Sequence, residues 1–262
     1  MFGFGKSRKK KAEIIEMTKL TTHLILFLQC YYLYFPKGTD PSKVLNAYDE
    51  AFAKREQGGY TLLIIGVDDT LLNNLQEYGL THEELIDNRD LMLADSQLDL
   101  DAQEWFTERL AEHKERMGKQ NWANVVSEVE YRNNDVSKTF CGFLDHGTPS
   151  ESMACLLAYI PTNEPWEVFA WLPFGGWNEC PEPEEILWIA KYWYERYNAI
   201  PAVMTRNFLE FSAPPIKDKN TALGLALEQF AACPDIVYQG VDTIGRLAGR
   251  LMQSSVWYFR WD

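Results

Sequence analysis

The chain lacks the patterns of a metal-binding or disulfide-stapled protein. Its five cysteines, Cys30, Cys141, Cys155, Cys180 and Cys233, are odd in number and widely spaced, and none forms a C-x-x-C pair. That argues against a zinc ribbon or a disulfide framework, so a reducing cytoplasm is the expected setting. Histidine is scarce: His23, His82, His113 and His146 offer no i, i+4 pair for zinc. Long apolar runs are missing too. The stretch 24–35 is broken by Gln29 and is too short to span a bilayer. Glu13 and Glu16 interrupt its approach and no small-x-small cleavage site follows, so it does not read as a signal peptide.

Positive charge is in short supply. The net charge is -13, and residues 1–12 hold Lys6, Arg8, Lys9, Lys10 and Lys11 with no acid. The remainder therefore carries 20 basic against 38 acidic residues, -18 net. Such a body repels phosphate backbones, which excludes nucleic acid as its partner and favours a basic protein. The tail itself reads as solvated and disordered. One short basic run without a lipidation signal supports only weak, reversible membrane contact.

Apolar material is ample. Hydrophobic residues make up 46% of 262 and aromatics 14%, enough for a sizeable core in one large domain or two small ones. Residues 13–35 read as a helix that turns aromatic at Tyr31, Tyr32, Tyr34 and Phe35 and ends at Pro36-Lys37-Gly38. Residues 42–56 read as a helix with Val44, Leu45, Tyr48, Ala51 and Phe52 on one face. Residues 60–67 are apolar and β-branched, a buried strand, and 70–78 a further helix. Thr81 and Glu84 have the spacing of a capping box. Residues 100–117 form a charged amphipathic helix with Trp105, Phe106 and Leu110 inward. Residues 118–150 are polar, the best candidate for a long loop or linker.

Further on, 153–160 and 166–174 read as two strands of an antiparallel hairpin. A helix is expected over 183–197, with Ile186, Ala190, Trp193 and Tyr197 spaced for burial. Short strands follow at 201–205 and 208–211, helices at 221–230 and 241–252, and a closing strand at 255–261 with Trp257, Phe259 and Trp261 alternating. The expected fold is α/β (α+β): a mixed β-sheet with flanking helices and an N-terminal helical portion. The expected division is a basic tail 1–12, a helical segment 13–59 and a main domain 60–262.

The pieces WEVFAWLPFGGWNECP (166–181), KYWYERYNA (191–199), FLEFSAPP (208–215), FAACPDIVYQG (230–240) and WYFRWD (257–262) together resemble the bacterial "domain of unknown function 4253" family. YTLLIIGVDDTLL (60–72) is similar to the family's N-terminal portion. In one departure, Thr205-Arg206-Asn207 stand where the family pattern carries an acidic residue, so no carboxylate role is assigned there. The resemblance implies a single-domain cytoplasmic protein and names no activity. By analogy with other uncharacterised families, it suggests a link to toxin–immunity systems.

The most informative turn is Gly175 to Pro181, which presents Trp177, Asn178, Glu179 and Cys180. It reads either as a ligand-facing turn, or as a structural one in which Asn178 and Glu179 cap the helix starting near Pro183. Asp235 and Gln239, between two helices, could reach toward it; Asp235 alternatively caps a local turn. The candidate binding set is therefore Trp177, Asn178, Glu179, Asp235 and Gln239. Glu167 and Glu210 could join Glu179 and Asp235 as a carboxylate cluster for a cation or for acid–base work, or lie on solvated strand faces. Cys180 and Cys233 have no histidine nearby in sequence, which favours buried structural thiols. Trp171, Trp188, Trp193, Trp257 and Trp261 read as core. No cofactor and no metal are expected. The function expected is a non-catalytic binding protein with a basic protein partner, such as an immunity protein against a toxin. The alternative is an enzyme or small-ligand protein using the 177–180 turn and the 235–239 loop.

Overall fold

The computed structural model describes residues 17–79, 81–95, 101–132 and 135–261. The basic tail 1–12 lies outside them. Helix α1 (Lys19–Leu28) starts at Thr18, whose hydroxyl accepts the Thr21 N–H, and stops where Gln29 turns left-handed at φ 46°. The aromatic residues that follow do not prolong the helix. They form strand β1 (Tyr31–Phe35), as suits tyrosine and phenylalanine on a pleated surface. Helix α2 (Pro41–Phe52) has Asp40 as N-cap and Pro41 in its first turn, and buries Val44, Tyr48 and Ala51. A short turn α3 (Arg55–Gly58) leads into β2 (Thr61–Gly66), all six residues of which are buried.

Three helices come next: α4 (Asp69–Gln76), α5 (His82–Asp95) and α6 (Ala102–Val125). The Thr81–Glu84 capping box forms in both directions, at 2.9 and 3.2 Å. Helix α6 kinks at Gly118 and runs past the expected end at 117. After it, the polar stretch 126–150 does not simply cross solvent. Phe143 is fully buried, and the Gly142 N–H reaches into the sheet.

Strand β3 (Cys155–Ile160) pairs antiparallel with both β1 and β2. It has no free edge left, so the expected hairpin partner cannot form. The 166–174 stretch instead winds into a 3-10 turn (Pro165–Glu167) and a short helix α7 (Val168–Trp171), started by Pro165. Its apolar run was open to either reading by periodicity alone. Helix α8 (Pro183–Tyr197), strands β4 (Ile200–Met204) and β5 (Phe208–Ser212), helix α9 (Lys219–Ala232), a π-helical turn (Ile236–Val241), helix α10 (Ile244–Leu251) and strand β6 (Val256–Arg260) complete the chain.

The six strands make one mixed sheet in the order β1-β3-β2-β4-β5-β6, with β2 and β4 parallel and every other pair antiparallel. This is the expected α/β architecture. Alternation along β2 sorts its side chains to two faces. Leu63 and Ile65 join the larger core with α1, α4, α6, α8, α9 and α10, while Leu62 and Ile64 join a smaller one with α2 and Phe143. Helices on both faces explain why β2 reads as an unbroken apolar run. Trp193, Trp257 and Trp261 are core; Trp171 and Trp188 are half-buried against it. No helix among the described residues is long and apolar enough to cross a membrane.

Candidate functional site

The 175–181 turn is built from conformations that most side chains avoid. Gly175 and Gly176 have φ of 128° and 83°, and Asn178 has φ 51°. A Cβ on Gly175 would sit 2.0 Å from the Pro181 carbonyl oxygen, so the chain reverses here only with glycine. The turn closes on itself: the Gly176 N–H donates to Pro181 at 2.9 Å and the Cys180 N–H to Trp177 at 2.9 Å. Trp177 packs edge-on against Phe174. Neither Asn178 nor Glu179 is the cap of α8. That cap is Glu182, whose N–H donates to the Glu185 carboxylate at 2.9 Å.

Glu179 is held by α6. Arg116 meets its carboxylate at 2.5 Å and Arg109 at 3.5 Å, and Arg109 also donates to its carbonyl. The second candidate segment arrives beside it. Tyr238, in the π-helical turn, donates to the Met117 sulfur on α6 and feels the charges of Arg116, Glu179 and Asp235. Tyr238 thus brings the 235–239 turn to the same helix, α6, that holds Glu179. Gln239 is exposed on that turn. The wider carboxylate cluster does not form. Glu167 lies in the 3-10 turn and accepts the Thr162 hydroxyl, and Glu210 lies on β5 with no exposure at all. Among the described residues no group of three or more His, Cys, Asp or Glu could hold a metal ion.

The thiols are protonated by their surroundings. Burial pushes Cys30 up to about 11 and Cys141 and Cys155 up to about 12, and raises Cys180 and Cys233 as well. His113 is buried, with Nε2 donating to the Ala231 carbonyl at 3.2 Å; burial lowers its pKa and keeps it neutral. His146 lies against Phe208. None of these arrangements makes the nucleophile–base pair that thiol catalysis requires.

Two polar groupings escaped the sequence reading, and a third surrounds Glu210 in a setting it did not foresee. On one outer face, half-buried Tyr78 stands among Glu184, Glu182 and Glu77; burial first, then these three charges, push its hydroxyl up to about 12. In the larger core, Glu228 accepts from the hydroxyls of Tyr192 at 2.9 Å and Tyr197 at 3.2 Å and from the Trp193 indole at 3.2 Å. Burial raises its pKa, against the pull of those three bonds. Beneath the other face, Glu210 accepts the backbone N–H groups of Cys141 and Gly142. A lone acid on the inward side of an apolar helix was the available signal for Glu228. The KYWYERYNA segment supplies its donors.

Residues 156–262 match the family model described as Domain of unknown function (DUF4253). The resemblance read from the five later motifs is shown for this span, while the 60–72 stretch lies outside it. No curated protein and no solved structure matches the chain.

Proposed function

We propose that this is a non-catalytic binding protein that holds a basic protein partner, and that its use is to neutralise a bacterial toxin in the cytoplasm. The observation that carries the reading is the Tyr78 patch. Three carboxylates from two separate parts of the chain, Glu77 after α4 and Glu182 and Glu184 at the start of α8, act by their charge on one half-buried tyrosine. Tyrosine is a frequent anchor at interfaces, and surrounding carboxylates would steer and orient a lysine- or arginine-rich surface. The charge of -18 outside the tail adds long-range attraction to the same kind of partner.

The rival, an enzyme or ligand site at the 177–180 turn and 235–239 loop, draws less support. The Glu179 carboxylate is already engaged by two arginines, and the thiols are held protonated. The test uses the wild-type chain as bait in its host's lysate at two salt concentrations. A stoichiometric basic protein is expected, released by salt. It should be lost when Glu77, Glu182 and Glu184 are all changed to Gln and retained with Glu179→Gln. Expressed alone it should be toxic, and co-expression should relieve the toxicity. A partner indifferent to the triple change, or none at either salt, overturns the reading.

A further inference from the structure

A cleft of about 380 Å³ opens between α6, α8 and α9, lined in part by the Glu228 grouping. Helix α9 provides its floor with Asn220, Gly224 and Glu228, spaced i, i+4, i+8 on one stripe. Gly224 has no reason to be glycine in the fold itself. It lies inside a helix, its φ is not left-handed, and a Cβ there would meet nothing within 4 Å. Glycine destabilises a helix interior relative to alanine. What it does here is leave the middle of the floor bare, so that another molecule can approach the helix closely.

The cleft carries groups of opposite charge. Glu228 is 5% exposed, and its three donors, Tyr192, Trp193 and Tyr197, all come from α8. A carboxylate offers about four lone-pair positions, so one remains for a donor from the cleft. The single Tyr192 hydroxyl proton also faces two acceptors, Glu228 at 2.9 Å and the Gln103 amide oxygen at 3.2 Å. Acceptors are in surplus, as an ammonium group requires. Beside this group stands the exposed guanidinium of Arg196, 5.7 Å from the rings of Tyr192 and Tyr197, and its charge acts on Glu228. Phe106 and Leu110 form an apolar flank.

We propose that this cleft binds a free amino acid as its zwitterion. The ammonium donates to Glu228 and Gln103, the carboxylate meets Arg196, and an apolar side chain lies along Phe106 and Leu110 above Gly224. The site is independent of the protein-partner reading and stands or falls separately.

The test is calorimetric titration of the full chain with each of the twenty L-amino acids. For each binder, the matching amine without carboxylate and the N-acetyl derivative without ammonium are titrated too. At least one apolar amino acid should bind, and each derivative should bind at least tenfold more weakly. Glu228→Gln should remove binding. Gly224→Leu suits the helix, because a Cβ there meets nothing within 4 Å and leucine favours helix; it should hold or raise the melting temperature and weaken binding at least tenfold. The proposal is overturned if no amino acid binds, if the derivatives bind equally, or if Gly224→Leu binds like the wild type.

Discussion

Glu210 shows how one residue can carry a pH dependence. Its carboxylate is wholly buried on β5, where the Gly142 N–H meets it at 2.9 Å and the Cys141 N–H at 3.0 Å, and the Cys141 thiol points at it from 3.4 Å. Burial raises its pKa; those N–H groups and the nearby Arg250 charge oppose the rise without cancelling it. The folded chain therefore holds this proton more tightly than the unfolded chain does. The resulting stability is fully present below the ordinary value of 4.5 and is lost as pH rises through the raised one. Melting curves from pH 8 down to 4.5 should show the wild type gaining on Glu210→Gln as pH falls. A difference that stays flat or runs the other way refutes the assignment. Glu228 has the same sign but is common to both proteins. Part of this was legible. Leu209 and Phe211 alternate with Glu210, and both face the larger core as that pattern implies. The error lay in taking the opposite face as solvated. Phe143 covers it, from a stretch whose polar composition gives no sign that it folds under the sheet.

At the scale of elements, α10 is shaped by its neighbour as much as by its own sequence. The segment 126–131 passes directly over it, with the Glu130 N–H donating to the Gly245 carbonyl at 3.0 Å. A Cβ on Gly245 would sit 1.8 Å from the Glu128 carbonyl oxygen, and one on Gly249 would sit 1.9 Å from that of Glu130. Both obstacles are backbone, which cannot swing aside as a side chain can. Gly245→Ala and Gly249→Ala should each cost about 2–3 kcal/mol in urea unfolding, the upper range for overpacking. Gly224→Ala in α9, with open space above it, should stabilise by about 1 kcal/mol through helix propensity alone. Equal losses at all three positions would show that propensity, not contact, decides. Elements with strong local signals read well. Helix α2 has its Asp40-Pro41 start, α8 its apolar spacing, and β2 its unbroken branched run. The 166–171 stretch failed because its fate depends on β3 having both edges occupied, a fact of pairing between distant segments.

The whole molecule is tied together by that same pairing. The span that matches the family model supplies nearly all of β3 and the whole of β4, β5 and β6, but not β2, which lies between β3 and β4 and hydrogen-bonds to both. Without β2 the sheet splits, and β3 and β4 each present an unpaired edge in what was the buried centre. The residues packed across β2 come from farther away still: Leu24 and Leu28 of α1 in the larger core, and Val44 and Tyr48 of α2 in the smaller. Each core would lose a wall, and exposed apolar edges of this kind associate. We therefore expect the full chain to unfold in one cooperative transition, with circular dichroism and tryptophan fluorescence coincident. A fragment of residues 156–262 should show no such transition and should aggregate. A fragment of residues 60–262 regains β2 but lacks β1, α1 and α2, so it should melt well below the full chain. If that fragment matched the full chain in midpoint and slope, residues 13–59 would be a separate lobe, and the sheet would draw its stability from β2 onward.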